Sequence, residues 1–438
     1  MSLASSMRNT ILGKAAVAGL FTSKLAKASG LMFVSTVAGG VLGYVFQVLM
    51  GRLLSVADYG LFVTLMALLA VIGVPLGALN MVMSRKASAY RANNQPEQIA
   101  AMFWWVNKRL FWTAVAVAVC VLPFTPMVQD YFRLGSLVPV WVFLLMVFAM
   151  LFSPVNIALL QAQQNFRWLA VNGVAGQGFK IVFCVALVLA GFALNGALMG
   201  MALALLAAWL MTFLPLRHVV ALPTGASQAG EHLSFKSAMP VLIANLAFTV
   251  MTQLDMVLVN HYFDSQQAGI YAAASILGKA VMYLPGAIVM AMFPMVAEND
   301  SRDESSVHLL FNALALTAGL ATAGALFYYF FADGIMPLLY GQKYQPAAEL
   351  LRYYGFAMLP MTLVMVAEHF LIAKGRVIFA YVMMLAIPFV LLAAHAYHDR
   401  LIDMVYILGA CGWGLALVGF GVIGMQYWQG RRPGRSRA

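Results

Sequence analysis

Charge is the scarcest property of this sequence. Only 9% of its 438 residues are Asp, Glu, Lys or Arg and 63% are hydrophobic, whereas an ordinary soluble domain is roughly a quarter charged. A water-soluble fold is excluded. Cysteine is also rare: Cys120, Cys184 and Cys411 all sit inside apolar runs, and an odd set of three gives neither a disulfide framework nor a metal spacing. The seven histidines are scattered and none stands in an H-E-x-x-H frame, so no metal or other cofactor is expected. A G-x-x-x-x-G-K-[ST] loop is missing as well. Any work the protein does would therefore draw on an ion gradient, the membrane potential or removal of product.

What the chain has in quantity is apolar sequence, with a mean hydropathy of +0.87. Runs long enough to cross a ~30 Å hydrocarbon core recur from end to end. Hydropathy places spans near 28–50, 61–83, 110–128, 138–160, 168–190 and 196–216, then 238–262, 267–295, 308–331, 347–373, 377–395 and 403–427. The expectation is an all-α polytopic membrane protein with about twelve transmembrane helices, in two six-helix lobes at 28–217 and 238–428. The stretch 218–237, rich in Gly, Ser, Thr and Pro, reads as a cytoplasmic linker. Residues 1–27 carry Leu3, Met7, Ile11 and Leu12 at near-helical spacing among Arg8, Lys14, Lys24 and Lys27, an interfacial amphipathic segment. Residues 429–438 form a basic tail.

The formal net charge is +11, but in a membrane protein the placement of positive charge matters more than its sum. With both termini inside, nineteen of the 26 Lys and Arg residues fall in inside segments and five in outside loops, while Lys180 and Lys279 lie within spans. The asymmetry selects cytoplasmic termini, and it accounts for the basic character without nucleic acid. Trp104, Trp105, Trp112, Trp141, Trp168 and Trp428 fall near the expected interfaces, as an aromatic belt would place them.

Two segments echo each other at the same place in the two halves. Asp58-Tyr59-Gly60-Leu61-Phe62 leads to Val74-Pro75-Leu76-Gly77-Ala78, and Ala268-Gly269-Ile270-Tyr271 leads to Leu284-Pro285-Gly286-Ala287. Each opens the second helix of its lobe with Gly and an aromatic, and each brings Pro to about mid-depth. Gly51-Arg52-Leu53-Leu54 before Asp58-Tyr59-Gly60, Asp255 before Gly269-Ile270-Tyr271, the stretch Pro285 to Pro294, and Tyr340-Gly341-Gln342-Lys343-Tyr344 complete a pattern. In their order and spacing the chain resembles the Wzx-type polysaccharide flippases of the multidrug/oligosaccharidyl-lipid/polysaccharide exporter superfamily. That resemblance covers essentially the whole chain. It implies two lobes in a V around a central cavity that opens to alternate faces of a bacterial inner membrane. The cargo it implies is a lipid-linked oligosaccharide carried on pyrophosphate, and the partners a polysaccharide polymerase and glycosyltransferases besides membrane lipids.

Ionisable side chains inside spans are costly and usually face a bundle interior or an aqueous cavity. Four stand out: Lys180, Asp255, Lys279 and Glu368. Lys180 is a candidate cavity cation for phosphates or acidic sugars, or one half of a structural ion pair. Asp255 shares roughly half of its helix circumference with Asn245, Thr249, Thr252 and Gln253, a face lipid would not tolerate. Asp255 and Lys279 occupy consecutive antiparallel spans at depths that could overlap, so they either bridge or act separately in coupling and binding. Glu368 is a coupling candidate, or a carboxylate that snorkels toward Lys374 and Arg376. Arg52 is a gate residue or an interfacial anchor, and Gln47 a partner for sugar hydroxyls. Pro75 and Pro285 are candidate hinges. Three functions compete: the flippase, a multidrug cation antiporter of the same superfamily, and a membrane-embedded polymerase, ligase or acyltransferase. Two lysines offsetting two carboxylates favour anionic cargo, and short outer loops offer little for catalysis.

Overall fold

A computed structural model describes residues 24–222, 235, 238–283, 285–286 and 307–430. Residues 1–23 of the amphipathic segment expected at 1–27, most of the linker at 218–237 and the tail from 431 onward lie outside the described residues, and 24–27 open the first described helix. Apart from short turns, the described chain is helical. Its long helices are α1 (Lys24–Leu53), α2 (Val56–Ala92), α3 (Pro96–Val121), α4 (Val138–Ala162), α5 (Phe166–Leu187) and α6 (Ala193–Val220) in the first half. The second half has α7 (Met239–Tyr262), α8 (Ser265–Tyr283), α9 (Val307–Tyr340), α10 (Ala347–Ala373), α11 (Ile378–Ala396) and α12 (Leu401–Gly430).

Ten stretches among the described residues are long and apolar enough to cross a membrane. One of them, Phe166–Val220, contains both α5 and α6. They are separated where a π turn, Val188–Phe192, puts Gly191 at φ 93° and Ala193 at φ 44°. With α8, each of the twelve expected spans meets a helix. The interruption expected at 84–109 is mostly helix instead. The second helix runs on to Ala92, the third opens with Pro96 in its first turn, and only 93–95 separate them. Hydropathy registers the lipid-embedded part of a helix and stops at charge, but Arg85, Lys86 and Arg91 do not break a helix. Arg91 in fact donates to the Ala162 carbonyl at 2.8 Å and ties the end of α2 to the end of α4.

Without a hydrophobic difference between lipid and side chain, helices associate through close packing. The same pairings recur six helices apart: α1 with α5 and α7 with α11, α2 with α4 and α8 with α10, α4 with α6 and α10 with α12. Between the halves, α2 packs on α7 and α8, and α1 touches α9. The two second helices begin alike. Ser55 Oγ accepts from the Asp58 amide at 3.0 Å, and Asp264 Oδ1 accepts from the Gln267 amide at 2.8 Å, so each start is capped by its own loop. Just inside the caps Gly60 meets Gly269, where a Cβ on Gly60 would lie 2.6 Å from the Gly269 nitrogen and one on Gly269 would strike the Val56 carbonyl. The echoed glycines are the place where the two halves touch backbone to backbone.

Candidate functional site

One end of the bundle is sealed across the halves. Arg52, the last turn of α1, donates through Nε to the Leu339 carbonyl at 2.6 Å and through its guanidinium to the Leu338 carbonyl, at the end of α9. Lys343 answers from the α9–α10 loop, donating to the Arg52 carbonyl at 3.1 Å and the Leu54 carbonyl at 2.6 Å. Partial withdrawal from water lowers the Lys343 pKa from its ordinary value, so these contacts carry some desolvation cost. Beneath them the buried rings of Tyr59, Tyr340 and Tyr344 pack with centroids 5.4 to 6.0 Å apart, and Tyr59 donates to Tyr340 Oη at 3.3 Å. At the same end Tyr131, in the short helix Thr125–Tyr131 of the first half, stacks on His261 of the second at 4.5 Å. Arg52 thus sits in the seal and does not line the cavity. The stretch Tyr340 to Tyr344, quoted for its pattern, proves to be the partner of Gly51 to Tyr59.

Behind the seal lies a cavity of about 1020 Å³ between the halves. Its wall on α1 runs from Met32 to Gln47, on α2 from Met66 to Asn80 and on α5 from Leu169 to Lys180, so it extends away from Arg52 toward the opposite end of the bundle. Lys180, Lys279, Gln253 and Gln47 all line it. Tyr44, Asn80, Ser153 and Gln177 join them, residues that sequence reasoning did not single out. Gln177 precedes Lys180 by one turn on the same helix, which is the signal that could have found it. The Gln47 side-chain oxygen is buried without a hydrogen-bond partner. No carboxylate belongs to the lining among the described residues.

Behind the wall, Asp255 and Lys279 form an ion pair, 3.1 Å from Lys279 Nζ to Asp255 Oδ1, with side chains 1% and 5% exposed. Lys279 also reaches Gln253 Oε1 at 3.5 Å. The other carboxylate oxygen accepts from Tyr354 at 2.5 Å, Tyr271 at 3.2 Å and Ser275 at 3.4 Å. Gly278 makes this possible, because any side chain there would occupy the place of the Tyr354 ring. A buried charge pair is tolerable only when its remaining hydrogen-bonding capacity is met, and here three hydroxyls meet it. Lys180 differs: it is half-buried and has no ion-pair partner among the described residues.

The remaining candidates lie elsewhere. Asn245 is exposed on α7 and does not line the cavity. Glu368 is 1% exposed inside α10, with neither carboxylate oxygen bonded, so it does not snorkel toward Lys374 and Arg376. Its helix continues to Ala373, which keeps that side chain among packed apolar neighbours. Pro75 is inside α2, flanked by the cavity residues Gly73, Leu76 and Gly77. Pro285 lies in a turn beyond Tyr283, the last described residue of α8, and residues 287–306 lie outside the described residues.

Residues 49–349, which span both sides of the seal and most of the cavity, match a family described as polysaccharide biosynthesis protein. The chain belongs to that family. No curated protein sequence matches it. Among solved structures it is similar to a multidrug resistance MATE family transporter of the MOP superfamily in its inward-facing conformation. The TM-score is 0.75 at 14% identity, over 89% of this chain and 94% of that one. The lipid II flippase MurJ in an inward closed conformation matches with a TM-score of 0.69 at 14% identity, over 90% and 87% of the two chains. The outward-facing conformation of a MATE family transporter matches with a TM-score of 0.62 at 14% identity, over 93% and 97%. The fold is that of these proteins, and the chain is a multi-pass membrane protein of the polysaccharide biosynthesis family.

Proposed function

We propose that this family member moves a saccharide linked to a lipid through pyrophosphate, from the cytoplasmic to the opposite leaflet of a bacterial inner membrane, by opening its cavity to alternate faces. The observation that carries this reading is the cavity wall: Lys180 and Lys279 line it, and no carboxylate does among the described residues. A phosphate-bearing headgroup gains chiefly from the Lys180 ammonium, which has no ion-pair partner among the described residues, while Lys279 is held by Asp255. Gln47, Asn80, Gln177 and Gln253 supply the amides that sugar hydroxyls require. With cytoplasmic termini, the Arg52 end faces outward and the cavity opens to the cytoplasm, where such a cargo is assembled. The higher TM-score to the inward-facing than to the outward-facing MATE structure supports that assignment. Glycosyltransferases would then precede this step, and a polymerase would follow it.

The cation antiporter is favoured by the MATE neighbours alone. Against it, Asp255, the one carboxylate beside the wall among the described residues, is already paired with Lys279 and bonded by three hydroxyls. A membrane-embedded polymerase or ligase has no comparable support, since the neighbours named above are transporters and a flippase. Binding to the purified protein separates the readings. A pyrophosphate-linked lipid saccharide should bind and lose about tenfold in affinity in Lys180→Ala, as loss of one charge-assisted contact dictates. Tight binding of tetraphenylphosphonium, with none of the saccharide, would give the cavity to cations instead.

A further inference from the structure

A second hollow lies on the outer face of the first half, on the far side of α4 and α6 from the cavity. It is a cleft of about 610 Å³ lined by Phe103, Phe111, Phe148, Phe152, Phe213 and Trp209, with Lys108 among its polar residues. The two hollows share walls: Leu205 faces the cavity and Leu206 the cleft, as Met150 and Phe152 do one helix away. A smaller recess of about 400 Å³ adjoins it, formed by Trp105, Lys108, Arg109, Trp112 and Thr113, so Lys108 borders both. Arg109 lies over the Trp105 ring at 4.0 Å. Neither cation has an acidic partner among the described residues.

The cleft has a direction. Trp104, in its lining, donates from its indole to the Val220 carbonyl at 3.2 Å, which ties that end to the last residue of α6. Leu206 lies about 21 Å back along the same helix at 1.5 Å per residue, more than the ~15 Å of one leaflet's hydrocarbon. Lys108 and Arg109 stand about one turn of α3 beyond the Trp104 tie, and Phe111, Phe148 and Phe152 continue toward mid-membrane with Trp209 among them. Basic recesses between transmembrane helices that adjoin an apolar slot suit lipids with acidic headgroups. We propose that this cleft holds one acidic phospholipid, its phosphate against Lys108 and Arg109 and one acyl chain along the phenylalanines. The occupant is a phospholipid and not the cargo, because α4 and α6 stand between the cleft and the cavity, joined by the buried bond from Asn156 to Thr212 at 2.7 Å. Such a lipid would brace the back of the cavity wall, and its binding does not depend on what the cavity carries.

Native mass spectrometry of the full chain, loaded with phosphatidylglycerol or phosphatidylcholine, tests this. Wild type should retain one phosphatidylglycerol in preference to phosphatidylcholine. The preference should fall about fivefold for each cation removed in Lys108→Ala and Arg109→Ala, and persist in the charge-preserving Lys108→Arg with Arg109→Lys. Leu206→Trp, which fills the slot, should release either lipid, while Lys180→Ala in the cavity should leave retention unchanged. Equal retention of the two lipids by wild type would overturn the proposal, as it would if the linker after α6 occupied the cleft. An unchanged preference in the double alanine variant, or its loss in Lys180→Ala, would overturn it as well.

Discussion

Lys343→Ala removes two contacts that cross the seal and nothing from the cavity. Hydrogen bonds from charged donors contribute roughly 1.5–3 kcal/mol when buried. Lys343 is exposed, however, so each of its bonds is worth nearer ~0.5–1 kcal/mol after solvent screening. Losing both weakens the closed seal by about 1–2 kcal/mol, which shifts the balance of open over closed at that end by roughly 5- to 30-fold. Arg52→Ala removes the two bonds to Leu338 and Leu339 but leaves the Arg52 carbonyl for Lys343. Because Lys343 donates to Arg52 itself, the two substitutions are coupled, and the double variant should exceed either single one without reaching their sum. A cysteine at Gln253, in a chain stripped of Cys120, Cys184 and Cys411, reports the state through its rate of labelling by an impermeant maleimide applied from the Arg52 end. The rate should rise in each single variant and rise further in the double. Equal rates in wild type and all three variants would refute the seal.

Asp255→Ala or Lys279→Ala alone should destabilise the protein by about 3–5 kcal/mol, because each leaves an uncompensated buried charge, and the double variant should recover much of that in a thermal-unfolding assay. A silent single variant would mean the pair is not formed in the membrane. Gly269→Val places a side chain on the Val56 carbonyl, so closure at the Arg52 end should fail and transport with it while the protein still reaches the membrane; normal transport would show that the halves need not meet there. Pro75→Ala restores a backbone hydrogen bond beside the cavity and should slow transport with little change in stability. Unchanged transport would remove Pro75 as a hinge.

The cavity residues were legible where chemistry forbids lipid contact. Lys180, Lys279, Gln253 and Gln47 are too polar for hydrocarbon, and all four line one cavity. Asn245 obeys the same rule and yet stands exposed on α7, since a short amide near a helix end lies within reach of water. The seal was harder to read. Arg52 and Lys343 are separated by 291 residues, and no local periodicity connects them. Only the fold shows that the two stretches quoted for the resemblance touch each other. Asp58, Tyr59 and Gly60 then divide into a cap, a member of a ring cluster and a point of backbone contact. The snorkel reading of Glu368 fails because its distance along the chain from Lys374 says nothing about the direction its side chain takes.

The central claim is that the cavity passes a lipid-linked saccharide between leaflets. The direct measurement is a proteoliposome assay in which a pyrophosphate-linked lipid saccharide starts in the inner leaflet and its sugar becomes open to an added, impermeant glycosidase. Wild type should expose the sugar within minutes, Lys180→Ala and Gly269→Val should slow exposure sharply, and protein-free vesicles should show none. Exposure no faster with wild-type protein than in protein-free vesicles, while the same vesicles exchange a lipophilic cation for protons, would contradict the account.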